Sequence, residues 1–332
     1  WRLPEASPTA KGRALVNLLP DLGGDTITAV LPLPQDEDLW ENLHLVFATA
    51  SGSVRRNRLS DFRNIRSSGL IAMKLDDNDR LIGVATCREG QDVFLGTRNA
   101  RCIRFQITDE TLRVFAGRGS SGVRGIKLAE GDSVNSLCVL NHVEATVEER
   151  AAYLRMANAR RRAEAAHEGE DADEPMTMEE GEDSGDMPLD AERFAELEAA
   201  EEVLLIVSNA GFGRRSSAYD YRVSGRGGQG INNMTFSANK RGNAVVATLP
   251  VLDGTDVMLV TDAGRLIRLP IDQVRIMSRQ ASGVTLFRLD DTEEVTSVFP
   301  VMDDGDGDED AADETAAPNG DTPPAPDAGH DD

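Results

Sequence analysis

Several absences narrow the possibilities before any motif is considered. No run of about 18 apolar residues occurs, so no segment reads as a membrane-crossing helix. No opening stretch has the charged, apolar and small-residue order of a secretion signal. The chain opens at Trp1 rather than at a methionine, which predicts a fragment of a longer protein. There are three cysteines, Cys87, Cys102 and Cys138, each in or beside an apolar run. They read as buried free thiols in a reducing compartment, not as a disulfide or a metal site. His44, His142, His167 and His330 share no ligand spacing. Aromatic residues are only 5% of the chain, so base stacking is not expected to be its main mode of contact.

Positive charge is also scarce overall: the formal net charge is −23, which on its face argues against a nucleic-acid partner. The distribution reverses that reading. Residues 141–200 hold 18 acidic and 6 basic side chains, and residues 303–332 hold 12 acidic and no basic ones. The remainder has 29 basic and 28 acidic side chains. Two separable acidic segments therefore conceal a nearly neutral, arginine-rich body.

That body repeats. With 332 residues the chain could hold two ordinary domains or one large repeat protein. A phrase anchored on glycine recurs at Gly12, Gly69, Gly122, Gly230 and Gly283. The period is about 50 residues once the acidic segment 141–200 is set aside, in the range of propeller blades. Four residues past each glycine the chain is apolar (Val16, Met73, Ile126, Met234, Phe287), and six past it is apolar again. The position between is polar or basic: Asn17, Lys74, Lys127, Thr235, Arg288. Such alternation predicts a strand with one buried face.

A second phrase precedes four of the anchors, at 46–56, 93–104, 204–215 and 257–268. An apolar strand meets a turn carrying Gly52, Gly211 or Gly264 (Ala100 in the fourth case), and a second strand follows. This is a hairpin pattern with positive φ expected at the turn. Each unit then comprises a hairpin, a loop and two more strands. Units of this kind must stack to hide their apolar faces. The predicted fold is all-β, a propeller-like disc over 1–302.

Four residues past each turn stands an arginine: Arg56, Arg104, Arg215 and Arg268. Arg55, Arg101, Arg214 and Arg265 stand nearby, and loops and anchors add Arg63, Arg66, Arg113, Arg118, Arg124, Lys127, Arg222, Arg226, Arg275, Arg279 and Arg288. One basic position per unit would draw a cationic track around a disc. Arginine suits phosphate forks better than lysine does. The expectation is sequence-independent, salt-sensitive contact with the backbone of double-stranded DNA.

The phrases RALVNLLP (13–20), FATASGSVRR (47–56), LIAMKLDDNDRLIGV (70–84), SSGVRGIKLAEGD (120–132) and MLVTDAGRLIR (258–268) resemble the C-terminal domain of the A subunit of bacterial DNA gyrase. The resemblance covers the repeat body in order, about 240 residues. It implies a six-bladed β-pinwheel with strands exchanged between neighbouring blades, of which this chain would carry blades two to six, the first truncated. It also implies a domain that is itself non-catalytic and wraps DNA around a basic rim. Its parent would be a bacterial cytoplasmic type II topoisomerase assembled from two A and two B subunits. ATP and magnesium would serve other parts of that parent, and this fragment needs no cofactor. The family's Gln-Arg-Arg-Gly-Gly-x-Gly box belongs to the first blade and is missing. SGRGGQG (224–230) echoes it without the leading Gln-Arg and reads as a divergent anchor loop with some backbone contact to phosphate. The related domain of topoisomerase IV and a protein-binding propeller remain as alternatives. Against the propeller scaffold stand the arginine register and the lack of a Trp-Asp blade signature.

Two helices are predicted in the acidic insertion, over 146–167 and 189–202, forming a protrusion between two strands of one blade. Thr146 and Glu149 form a capping box, and Val147, Ala151 and Leu154 share a face. Residues 168–188 and the tail 303–332 read as disordered polyanion. The tail fails the calcium-loop template and is expected to compete with DNA for the rim.

Overall fold

The computed structural model describes residues 25–65, 69–167, 189–236, 242–281, 283–290 and 292–301, with Ser7, Lys11, Ala14 and Asn17 singly. The Gly12 anchor, residues 168–188 and the tail 303–332 lie outside the described residues, apart from Ala14 and Asn17 in that anchor. Four antiparallel sheets follow one another in a propeller-like arrangement. The first has the order β3-β1-β2-β6, from β1 (His44–Thr49), β2 (Ser53–Arg58), β3 (Leu81–Cys87) and β6 (Val123–Arg124). The second is β10-β5-β4-β7, with β4 (Asp92–Thr97), β5 (Arg101–Gln106), β7 (Val134–Leu140) and β10 (Ile231–Asn232). The third is β11-β8-β9-β14, with β8 (Val203–Ser208), β9 (Phe212–Ser217), β11 (Val245–Val251) and β14 (Val284–Thr285). The fourth is β13-β12-β15, with β12 (Asp256–Thr261), β13 (Leu266–Pro270) and β15 (Val295–Val301).

The anchor phrase supplies the outer strand of the preceding sheet. β6, which follows the second hairpin, pairs with β2 of the first; β10 pairs with β5, and β14 with β9. This exchange explains the anchor glycines. A Cβ at Gly122, Gly230 or Gly283 would lie within 3.0 Å of the carbonyl oxygen of Val54, Cys102 or Gly213 on the accepting strand. Only glycine lets two backbones approach that closely. The exchanged strand itself is two residues long, so the alternation beyond it belongs to a packed irregular segment. Met73, Ile126 and Met234 are buried there, while Lys74, Lys127, Thr235 and Arg288 are exposed.

The hairpin strands of the first three sheets are buried on both faces, and those of the fourth on one. Val93 and Leu95 pack with Val46, Ala48 and Val54 of the first sheet, whereas Phe94 packs with Leu204 and Ile206 of the third. Leu205 and Val207 turn the other way, onto Val257 and Leu259 of the fourth. Period-two side chains thus fill three successive gaps between sheets. The inner strands β3, β7, β11 and β15 contact their neighbours in turn and, with Thr26–Thr28, surround a cavity of about 490 Å³.

The insertion forms α1 (Val147–His167) and α2 (Ala191–Ala199). It joins β7 of the second sheet to β8 of the third, so it stands between two sheets and not, as the sequence suggests, within one. The capping box is present: the Thr146 amide donates to Glu149 Oε2 at 2.8 Å, and the Glu149 amide to Thr146 Oγ1 at 3.1 Å. The buried face is as expected at Ala151 and Leu154 and departs from expectation at Val147. Tyr153, Leu154, Ala157 and Leu197 close on Tyr219, while Val147 is exposed. Tyr219 donates its hydroxyl to the Leu197 carbonyl at 2.9 Å, fixing the helices to the third sheet.

Candidate nucleic-acid interface

The recurring arginine four residues past the turn does not face solvent. Its side chain is 0% exposed at Arg56, 4% at Arg104 and 9% at Arg215, and 48% at Arg268. The first three sit on the face of their hairpin that meets the following sheet. Arg56 reaches Asp109 at 2.7 Å and Glu89 at 3.9 Å, and Arg215 reaches Asp253 at 2.6 Å and Asp272 at 3.8 Å; all four acids flank the next hairpin. Arg104 pairs with Asp92 of its own sheet and donates to the Ala218 and Asn141 carbonyls. The same residues carry single parallel bridges, Arg56 with Val114, Arg104 with Val223 and Arg215 with Ile276. Arg268 faces no following sheet among the described residues and pairs with Asp256. The expected cationic track is therefore corrected: at three of its four positions the arginine is an internal staple between sheets, closed to phosphate by burial and by carboxylate partners.

Arg55 and Arg214 are likewise buried. Arg55 donates to Asn57 and Ser120 and stacks 4.7 Å from the Phe115 ring centre. Arg214 donates to the carbonyls of Asn233, Ser278 and Arg279. Burial lowers the pKa of both guanidiniums from the usual value. Three anchor-loop arginines clamp the connector behind the preceding hairpin: Arg118 to the Asp61 carbonyl, Arg226 to Thr111 and Arg279 to Asp220. Arg279 is buried, which removes it from the exposed set as well. Arg63 is paired with Glu37 and Glu41, and Arg265 with Glu293. Arg66 lies outside the described residues.

Arg101, Arg124 and Arg222, all expected, keep their charge at the surface without a carboxylate partner among the described residues. Lys127, Arg288 and Arg113 of the expected set are exposed as well, and the structure adds Lys74 and Arg58. Lys74, Lys127 and Arg288, all five residues past an anchor glycine, are exposed and unpaired in the same sense. These side chains stand on or beside the exchanged outer strands, the edge of each sheet farthest from the inner strands. The Lys127 amide donates to the Gly228 carbonyl at 2.8 Å and the Lys74 amide to the Ser120 carbonyl at 3.2 Å. Lys74 and Lys127 are thereby each set beside the next anchor loop. The signal was legible in the alternation around the anchor, where the exposed position is basic in three of five repeats. No group of three or more His, Cys, Asp or Glu among the described residues could hold a metal ion.

The family model described as the DNA gyrase C-terminal domain, a beta-propeller, matches residues 43–88, 91–139, 202–251 and 255–302. The helical insertion falls in the gap between the second and third matches. The DNA gyrase A subunit of Granulibacter bethesdensis is 67% identical over 325 residues, 96% of this chain. That of Rickettsia bellii is 44% identical over 93% of the chain. The chain spans about a third of the length of these curated relatives. Among solved structures, a C-terminal domain of DNA topoisomerase IV superposes with a TM-score of 0.61 at 17% identity, covering 87% of this chain and 70% of that one. A DNA gyrase A C-terminal domain superposes with a TM-score of 0.55 at 21% identity, covering 82% and 73%. At these identities the structures speak to the fold alone.

Proposed function

The chain belongs to the DNA gyrase C-terminal domain family, and from that premise we propose that it is a non-catalytic module that binds double-stranded DNA and bends it along the outer edges of the sheets. The observation that carries this reading is the recurrence of exposed cations without carboxylate partners among the described residues, Lys74, Lys127 and Arg288, at one register in three repeats, with Thr235 in the fourth. Arg113, Arg124 and Arg222 stand on the same outer segments. Lysine and arginine spaced along an edge neutralise phosphates without reading bases, so binding is indifferent to sequence and falls steeply with salt. Duplex DNA has a persistence length of about 150 base pairs, and bending a site by tens of degrees costs about 1–6 kcal/mol. Many modest contacts along a curved edge offset that cost. The rigid staples between sheets hold the edge in shape while the strain is applied.

In the whole protein, of which the matched relatives are about three times as long, the module would serve gyrase, with its A and B subunits, in ATP-driven negative supercoiling. The reading is tested by fluorescence anisotropy with two duplexes of unrelated sequence across a salt series. Equal affinities and parallel, steep log–log salt dependences are expected. Preference for one sequence, or no binding to either, would overturn it.

A further inference from the structure

The joints between successive sheets share one hydrogen bond and differ in what else closes them. At each, an amide of the following repeat donates to the carbonyl of the recurring arginine: Phe115 to Arg56, Ser224 to Arg104 and Met277 to Arg215, all at 2.8 Å. At the joints of the first with the second sheet and of the third with the fourth, the arginine side chain adds an ion pair across the joint. Arg56 reaches Asp109 at 2.7 Å and Arg215 reaches Asp253 at 2.6 Å. The middle joint has no such pair among the described residues. Arg104 turns its charge to Asp92 of its own sheet, and its side chain crosses to the third sheet through the Ala218 carbonyl at 2.7 Å. Asp220, the counterpart of Asp109 and Asp272, lies near Arg279 and Arg214 instead, and burial raises its carboxyl to about 6.

The helical insertion is rooted at this joint. Its two ends are clipped together: Glu202 accepts from the Asn141 amide at 2.8 Å and from the Asn141 side chain at 3.2 Å. On the second sheet, His142 meets Asp92 at 2.9 Å. On the third, α1 packs against the turn Ala218–Asp220. The Tyr153 ring is fully buried, edge-on to Tyr219 at 5.2 Å and 5.1 Å from Phe194, and its hydroxyl donates to Glu201 Oε2 at 3.0 Å. Leu197 closes the same cluster and takes the Tyr219 hydroxyl on its carbonyl. In the other repeats the place of Tyr219, four past the recurring arginine, is held by Ser60, Thr108 and Asp272. The aromatic seat for the helices thus stands in the repeat whose joint lacks the arginine–acid pair. Edge-on aromatic contact over buried apolar surface is able to replace an ion pair whose acid is mostly exposed.

We propose that the helical insertion is a brace on one joint: Tyr153, Leu197 and Tyr219 hold the second and third sheets closed in place of the arginine–acid pair, so that displacing the helices loosens this joint alone. The position of α1 and α2 then controls the closure of a single joint while the neighbouring joints stay fixed by their ion pairs. A consequence, which rests on the functional reading above, is that the curvature of the outer edge is adjustable at one place.

Residue-resolved hydrogen exchange tests the brace without DNA, because the Phe115, Ser224 and Met277 amides report the three joints through equivalent hydrogen bonds. Tyr153→Ala hollows the contact between helices and sheet and is expected to speed exchange at Ser224 by more than about tenfold, with Phe115 and Met277 unchanged. Tyr219→Phe removes only the hydroxyl given to Leu197 and is expected to speed exchange at Ser224 by about two- to tenfold. Should Tyr153→Ala fail to fold, Tyr219→Phe decides. Unchanged exchange at Ser224 in Tyr219→Phe, or exchange quickened equally at all three amides, overturns the brace. Both variants keep every charge, so the one that loosens Ser224 should bind DNA with the salt slope of the unaltered chain and give a smaller linking-number shift per bound chain. An equal shift at equal binding overturns the control of curvature. An unaltered chain that binds no duplex takes down the functional reading and that consequence with it, and the brace still stands or falls on the exchange result.

Discussion

Arg104 Nε lies 2.8 Å from Asp92 Oδ2, and both side chains are buried in the second sheet. The other Asp92 oxygen meets His142 Nδ1 at 2.9 Å, at the root of the helical insertion. Arg104 continues to the Ala218 carbonyl at 2.7 Å in the third sheet. One guanidinium thus ties two sheets and the insertion together. Removing it leaves a buried carboxylate short of its main partner, which costs about 3–5 kcal/mol. Arg104→Ala is expected to lower stability by that amount in urea unfolding. Arg268→Ala, at the same place in the repeat but half exposed, is expected to cost under about 1 kcal/mol.

The anchor glycines separate conformational strain from collision. Gly69 has φ +78° and open space around its missing Cβ. Gly69→Ala should cost only the left-handed penalty, about 1–2 kcal/mol. Gly230 has φ +68° and faces the Cys102 carbonyl at a distance no side chain tolerates. Gly230→Ala should cost substantially more and loosen the exchange of β10 onto β5. Denaturant midpoints of the two variants, compared with the unaltered chain, check the order.

The exposed anchor cations should affect binding and leave folding alone. Lys74→Ala, Lys127→Ala and Arg288→Ala are each expected to reduce the log–log salt slope of DNA binding by about 1, equally for unrelated sequences. Their melting temperatures should match that of the unaltered chain, since none of the three side chains is buried or paired among the described residues.

Burial pushes the thiols of Cys87, Cys102 and Cys138 up to about 12. An ordinary thiol near 8.5 is partly thiolate at pH 8, and the thiolate is the reactive form. All three should resist alkylation at pH 8 in the native protein and react together on unfolding. Mass spectrometry after a short iodoacetamide pulse, with and without denaturant, reads this out.

Much of the fold is legible in the sequence because its determinants are local or periodic. The turn residues Gly52, Gly211 and Gly264 have positive φ, and Ala100 takes the same conformation at +59°. The capping box at Thr146 and the approximate spans of both insertion helices are as expected. The arginine register shows where legibility ends. Recurrence at Arg56, Arg104 and Arg215 marks a position that each repeat needs, but not what covers it. Their acidic partners, Glu89, Asp109, Asp253 and Asp272, belong to the following sheet, and Asp92 to the same one. An acid does recur, at Asp61, Asp109, Asp220 and Asp272, eight or nine residues past each turn, but its pairing with the arginine of the preceding repeat, at Asp109 and Asp272, is made only by the packing of one sheet on the next.

Bending around the outer edge is the central claim, and plasmid topology tests it most directly. Relaxed plasmid is incubated with this chain, nicked and religated, and the linking number is read on a gel. A shift of one sign is predicted, growing with protein concentration and much reduced in the Lys74→Ala/Lys127→Ala/Arg288→Ala variant. Saturating DNA binding with an unchanged linking number would contradict it.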